Sequence, residues 1–523
     1  MTTSTSTSNT SNTSSFSLRS LVSHAGWRAR AMAAALVAAL VLGASPATAV
    51  APATGTWSGI GLNREGPLAI SSGTIPAGVH PLADGTWLVY GDFTNLGGDV
   101  AADYLAVYNP ATEAITHLGS FGGDGAFNAQ VMDVAVVNGI IYAGGSFTSV
   151  YGVAGFDFLA AWNGTSWTPR GSMDAAVRGL ATANGLLFAV GDFSAPNGIS
   201  AARGIASWNG VGWHGLGEGG TSTPPLNGSG SDVVLGPGNQ LYVSGSFLDA
   251  GGNVDADRVA RLDLNNQTWH PVGTATSGFF GSSSINAIAV SGTRVLLGGD
   301  FTNAGGDSLA DHVIEWTGTA FRHLGASVTG VDGALDGTVF GVAYYGSNAL
   351  VTGQFSSAAG VANTGLVAAF NGTTWMPLGV PGVVLGAPSF PFGGGIAVVG
   401  RTAVLTGRFT NVGTVEAADG IAQFGLPAPP SAPRSLAGTS GLHRVTLTWA
   451  APATTNGAPV TDFIVQFRLK GTTAWKTFND GVRTTRSATV TGLTSGRTFE
   501  FRIRAVNAWG QGAFSATLAK VAG

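Results

Sequence analysis

Cysteine is absent from all 523 residues. That excludes thiol catalysis, disulfides, Cys-ligated zinc and iron–sulfur clusters. Stability must therefore come from packing and closure alone. Charge is scarce too, at 10% of residues. Lysine is missing altogether between residues 50 and 427, where ten arginines face 25 acids. So acidic a body makes nucleic acid an unsuitable partner for it. No long apolar run follows residue 50, so no internal membrane span is expected. The Gly-x-Ser-x-Gly elbow, the phosphate loop and the HExxH zinc motif are absent as well.

What is present begins with a leader. A Ser/Thr/Asn tract without acids precedes Arg28 and Arg30, then an apolar stretch from Ala31 to Leu42, then Ala47-Thr48-Ala49. Positive, apolar and small-residue segments in that order read as a secretory signal peptide, so residues 1–49 are expected to be removed. No LPxTG-like motif and no apolar C-terminal tail is seen. The expectation is an extracellular protein, released or held peripherally at the cell surface.

A Gly-x-Phe anchor then recurs at Gly91, Gly145, Gly191, Gly245, Gly299, Gly353 and Gly407. The intervals are 54, 46, 54, 54, 54 and 54 residues. Each anchor ends an apolar run behind a short turn such as Asn138-Gly139 or Asn184-Gly185, which reads as a tight hairpin. A polar, Gly-rich loop follows, then a second hairpin. Its last strand carries Trp167, Trp213, Trp269, Phe321 or Trp375, with Ile115 standing in once. A glycine follows four residues later, at 119, 171, 217, 273, 325 and 379. Each unit is thus four strands in about 54 residues, the content of one propeller blade. The seventh unit stops at Phe424 without its fourth strand. The missing piece stands at the other end of the body, as Gly55 to Gly61 with Trp57 four residues before Gly61. The expected architecture is all-β: a seven-bladed β-propeller over residues 50–426, closed by N-terminal strand exchange.

These repeats resemble kelch-like and cortical polarity-marker-type propellers, through Gly144-Gly145, Gly298-Gly299 and the trailing tryptophans. The Trp-Asp dipeptide of WD40 repeats and the sialidase aspartate box are absent. The radical-copper chemistry of galactose oxidase relatives needs a cysteine that this chain lacks. Residues 427–433, Pro-Ala-Pro-Pro-Ser-Ala-Pro, read as a stiff, extended linker. Residues 434–523 resemble a fibronectin type III (Fn3) domain, an Ig-like β-sandwich. The carriers are Val445 to Trp449, Phe463 to Phe467, Ala488 to Thr494 and Phe499 to Asn507. The resemblance implies that Trp449 is a buried core tryptophan. Phe499 stands at the family's corner tyrosine, so that hydroxyl's hydrogen bond is lost.

Candidate chemistry clusters on one edge. Both longer connections of each unit, the loop after the anchor and the link between units, emerge on the same side, where loops on a rigid scaffold carry function. An aspartate recurs there twelve residues after the anchor, at Asp103, Asp157, Asp257, Asp311 and Asp419, with Asp99 and Asp307 nearby. Two readings stay open: turn-capping side chains, or a carboxylate ring for sugar hydroxyls or Ca²⁺. Ca²⁺ needs six to eight oxygens, which no known spacing here supplies, so no cofactor is assigned. His117, His214, His270 and His323 precede the closing glycines and read as exposed strand residues rather than metal ligands. Trp57, Trp167, Trp213, Trp269 and Trp375 read as sheet-packing positions. Phe279, Phe280, Phe390 and Phe392 lie in or beside links and are candidates for exposed stacking. The last 96 residues carry eleven basic residues against three acids. Arg468, Arg502 and Arg504 are candidates for holding an anionic polymer. The resulting expectation is a monomeric, secreted, non-catalytic binding protein. Its loop face would recognise an extracellular carbohydrate or protein, with the Fn3 module as spacer or tether. A polysaccharide-acting enzyme, glycosidase or lyase, and a structural envelope component are the alternatives.

Overall fold

The computed structural model describes residues 56–60, 75–216, 224–273, 278–379, 392–409, 412, 415 and 420–523. Residues 1–49, expected to be a leader, and Gly55, Gly61, Gly217, Phe390 and Asp419 lie outside the described residues. The described residues are all-β, without α-helix.

Seven four-stranded antiparallel sheets follow one another. The second, for example, runs Val131–Val137, Ile140–Gly145, Leu159–Trp162 and Trp167–Pro169. Its turn residues Asn138 and Gly139 both have positive φ, at 51° and 80°, as a two-residue hairpin with matching twist requires. The seventh sheet is stitched from both ends of the body. Phe392–Val399, Thr402–Arg408 and Ile421–Gly425 take Trp57–Gly59 as their fourth strand, with Trp57 opposite Phe424. The first strands of successive sheets lie side by side, and that of the first, Ile75–Pro81, also lies beside Phe392–Val399 of the seventh.

The Gly-x-Phe anchor has a steric cause. At Gly145, Gly191, Gly245, Gly299 and Gly353 a Cβ would run into the carbonyl oxygen just before the sheet's first strand: Gln130, Ala176, Ser229, Ser284 and Thr338. The phenylalanine two residues on enters the core; Phe93, Phe147, Phe193, Phe247, Phe301, Phe355 and Phe409 are all buried.

The fourth-strand tryptophans do more than pack. Each donates its indole N–H to a carbonyl at the end of the preceding sheet: Trp167 to Leu118 (2.7 Å), Trp213 to Arg170 (2.8 Å), Trp269 to Leu216 (2.9 Å), Trp375 to Leu324 and Trp57 to Leu378. In four of these five pairs the glycine after that carbonyl has a described conformation. Gly119, Gly171, Gly325 and Gly379 have φ of 83°, 88°, 92° and 88°, a left-handed conformation that suits glycine. Phe321 and Ile115 hold the equivalent positions in the fifth and first sheets and have no N–H to donate. The Phe279–Phe280 pair is packed rather than free for stacking. Phe280 is buried and meets Phe301, while Phe279 lies 4.7 Å from Phe321. Phe392 likewise packs on Phe340.

After the seventh sheet the chain forms a sandwich. One sheet holds Arg434–Gly441, Arg444–Ala450 and Ser487–Thr491. The other is built on Asp462–Leu469 and Thr498–Asn507. Trp449 is buried and packs 5.4 Å from Phe463. Residues 427–433 do not run free between the two parts. Pro427, Pro430 and Pro433 are buried. Ala428 N donates to the Asn456 carbonyl at 3.0 Å, and its own carbonyl accepts Asn507 Nδ2 at 2.8 Å. Trp509 of the sandwich is buried among sixth- and seventh-sheet residues, 5.9 Å from Tyr345.

Candidate functional site

In antiparallel four-stranded sheets the second strand ends where the third and first begin and where the fourth ends. The anchor loops and inter-sheet links therefore share one edge, as the connection lengths imply. The recurrent aspartates sit there as fasteners. Asp103 Oδ1 accepts the Asn95 amide (2.7 Å) and its Oδ2 the Gly125 amide (3.1 Å). Asp311 repeats this with Asn303 and Gly333, and Asp257 with Asp249 and Gly278. Each ties its own loop to the following link, and Asp103 and Asp257 are buried. Asp157 is half-buried in the same place. Asp99 and Asp307 each cap the amide two residues on and hold an imidazole at 2.8 Å, His117 and His323 respectively. The His323 bond is the main reason Asp307 sits below the usual carboxylate range. His214 and His270 instead meet Asn209 and Thr268. The structure thus spreads these aspartates around the edge rather than converging them. Among the described residues no group of three or more His, Asp or Glu could hold a metal ion.

A second set of fasteners escaped the sequence reading. Asn128, Asp174, Asn227 and Asp336, just before first strands, accept amides from the anchor loops of their own sheets. Among the described residues, seven exposed aliphatic or aromatic side chains stand on this pinned edge: Val100, Phe121, Val153, Leu248, Val254, Val328 and Val331. Val328 is 84% exposed. Only Val211 and Leu235 are comparably exposed at the hairpin turns of the opposite edge, among the described residues.

The inner strands form a further site. Every first strand carries one register shift near its start, between Pro76/Gly78, Val131/Asp133, Val177/Gly179, Gly230/Asp232, Ile285/Ala287, Val339/Gly341 and Gly393/Gly395. A bulge re-aims the extra residue. All seven extra residues, Ala77, Met132, Arg178, Ser231, Asn286, Phe340 and Gly394, line one polar cavity of about 230 Å³. Asp133 and Asp232 line it too. Burial pushes the Asp133 carboxyl up to about 7, against the hydrogen bonds it accepts from Leu180 N (2.7 Å), Val134 N (2.8 Å) and the Tyr90 hydroxyl. Burial also raises Asp232, which accepts Val233 N and Ile288 N. Tyr90 is raised by burial and by the Asp133 charge. Both acids therefore act first as straps: Asp133 reaches from the second sheet to the third, Asp232 from the fourth to the fifth.

On the sandwich the three candidate arginines come together. Alternation along Asp462–Leu469 and Thr498–Asn507 puts Arg468, Arg502 and Arg504 on one face. Trp475 lies between Arg468 (4.4 Å) and Arg502 (4.1 Å), and Phe514 between Arg502 (3.9 Å) and Arg504 (4.6 Å). Arg468 also pairs with Glu500 at 2.7 Å. Burial, then the neighbouring Arg468 and Arg504 charges, lowers the Arg502 pKa.

Human (Homo sapiens) myomesin-2 is 39% identical over 64 residues, 12% of this chain and 4% of that protein. The chain thus spans only 4% of the length of this curated relative. Among solved structures, titin kinase with its flanking domains is 25% identical, and the twitchin kinase region from C. elegans 26%. Each match covers 18% of this chain and 17% of the other, with a TM-score of 0.17. The fibronectin type III domain family model matches residues 431–521, and the chain carries a fibronectin type III domain there.

Proposed function

We propose that residues 56–426 form a closed seven-bladed β-propeller in a secreted, non-catalytic binding protein. Closure is supported by the stitched seventh sheet and by the contact between the first strands of the first and seventh sheets. Secretion rests on Arg28, Arg30, the apolar stretch to Leu42 and Ala47-Thr48-Ala49. The observation that carries the binding role is the loop edge. Its apolar side chains stay exposed on loops whose own carboxylates are spent on backbone amides. Loops held on a rigid scaffold carry binding, and aliphatic residues suit a protein surface better than a sugar ring. The Fn3 domain serves as a docked tether, its arginine–aromatic face holding an anionic polymer.

The enzymatic reading has one favouring observation, the two carboxylates with raised pKa in a single cavity. It ranks second because both groups are occupied by backbone N–H donors. Binding of the purified chain to isolated cell envelope and to a glycan array, beside a reducing-sugar release assay, separates the two. Saturable binding without sugar release is expected, lost in a V328D/V331D variant and kept in V211D. Sugar release, or binding indifferent to these substitutions, contradicts the proposal.

A further inference from the structure

The junction between the fourth and fifth sheets departs from its neighbours. At three other junctions the closing glycine abuts the next sheet's fourth-strand tryptophan, Gly171 beside Trp213, Gly325 beside Trp375 and Gly379 beside Trp57, while Gly119 abuts Tyr151. Here that tryptophan is Phe321, and Gly273 abuts Trp316 of the third strand instead. Beside Trp316 lies a pocket of about 540 Å³, large enough for a sugar ring. Tyr242, Arg261 and His270 from the fourth sheet also line it, and Thr293 and Gly318 lie at its hairpin turns. Trp316 packs one ring contact, Phe321 at 5.2 Å, and stays half-exposed. Arg261 donates Nη1 to Gln240 Oε1 at 2.8 Å, which fixes the guanidinium. The Tyr242 pKa is raised by burial and lowered by Arg261, so its hydroxyl is a neutral donor.

The charge is the deciding feature. The body carries 25 acids against ten arginines, yet no Asp or Glu lines this pocket, and Asp263, which interacts with His270 and Gln240, stands outside its lining. An aromatic plane beside a fixed guanidinium, an imidazole and a phenol offers stacking for a pyranose and a fork for a carboxylate. We infer that this pocket binds an acidic sugar, a hexuronate, free or as a residue of a polymer. It lies away from the loop-edge apolar patch and does not depend on that reading.

Calorimetric titration of the full chain with sodium D-glucuronate, with D-glucose and with a glucuronate-containing oligosaccharide tests the inference. Glucuronate should bind saturably, and glucose about tenfold or more weakly, the scale of one charge-assisted contact. In an R468Q/R502Q/R504Q background, which removes the arginine face of the sandwich, a tighter oligosaccharide points to a polymer residue and an equal one to the free sugar, and either supports the site when Arg261→Gln weakens it. Arg261→Gln should lower glucuronate affinity about tenfold and erase the preference over glucose. Trp316→Ala should remove binding of both, and V328D/V331D should leave it intact. Arg261→Gln, at a half-exposed side chain, keeps the test valid even if Trp316→Ala unfolds. Absence of glucuronate binding, equal binding of glucose, or binding unchanged by Arg261→Gln would overturn the inference.

Discussion

Five sheet-to-sheet junctions are stapled at the outer strand by an indole, whereas the junctions before the first and fifth sheets have Ile115 and Phe321 instead. Those two junctions are fastened at the inner strand. Thr406 of the seventh sheet donates to the Ala77 carbonyl of the first (3.0 Å), and Asp232 of the fourth accepts Ile288 N of the fifth (3.0 Å). Some junctions carry both devices: Trp213 with Asp133 between the second and third, Trp375 with Asn286 between the fifth and sixth. The fifth–sixth junction adds the fully buried Glu315, held by Arg294, Arg322 and Tyr344. A repeat can thus exchange one fastener for another without losing the contact between its sheets. The unstapled fourth–fifth junction is where the closing glycine meets Trp316 of the third strand and a pocket opens.

The comparison can be broken by mutation. The largest effect is expected from Trp269→Ala, which empties a buried site of indole volume and should cost about 3–5 kcal/mol in urea unfolding. Glu315→Gln should approach this, at about 3 kcal/mol, because it leaves Arg294 and Arg322 facing a neutral group in a buried network. Trp213→Phe keeps most of the packing and removes only the staple. The Arg170 carbonyl then loses its donor, for about 1–3 kcal/mol. A silent Trp213→Phe would reduce the staple to packing.

The Asp133 strap sharpens the comparison through pH. Folding raises its pKa to about 7 from about 4 in the unfolded chain. The folded state therefore holds the extra proton between those values. The contribution of this residue is full below about pH 4 and declines as pH rises to about 7. Asp133→Asn should flatten that decline in a thermal-unfolding series across the window, whereas an unchanged slope would place the titration elsewhere. The smallest stability effect belongs to Arg504→Gln, about 0–1 kcal/mol for a surface cation–π contact. Its readout is weaker, salt-sensitive retention of the full chain on a heparin column.

How much of this was legible follows from what repeats. The anchor was visible because the same carbonyl approach forbids a Cβ in sheet after sheet, and the buried phenylalanine follows it each time. Trp57 could be assigned to the seventh sheet because its glycine spacing matched. The cavity was not legible. Its bulge residues are Ala, Met, Arg, Ser, Asn, Phe and Gly, with no shared type, and only the backbone shift recurs. Arg468, Arg502 and Arg504 were singled out by the basic excess of the last 96 residues, and strand alternation puts them on one face. Trp475 and Phe514 were missed because they come from flanking segments outside those strands. Phe279 and Phe280 looked exposed from their place in a link, but Phe321, smaller than the usual tryptophan, gives them room to pack inward.

The central claim is that the N-terminal strand closes one continuous ring of seven sheets. Hydrogen exchange on a variant lacking residues 56–60 tests it most directly. Lost amide protection is expected well beyond the seventh sheet, reaching Ile75–Pro81 of the first and Trp375–Pro377 of the sixth, and a greater loss than on deleting residues 434–523. Loss confined to Phe392–Val399, Thr402–Arg408 and Ile421–Gly425, with the other sheets protected as before, would contradict it.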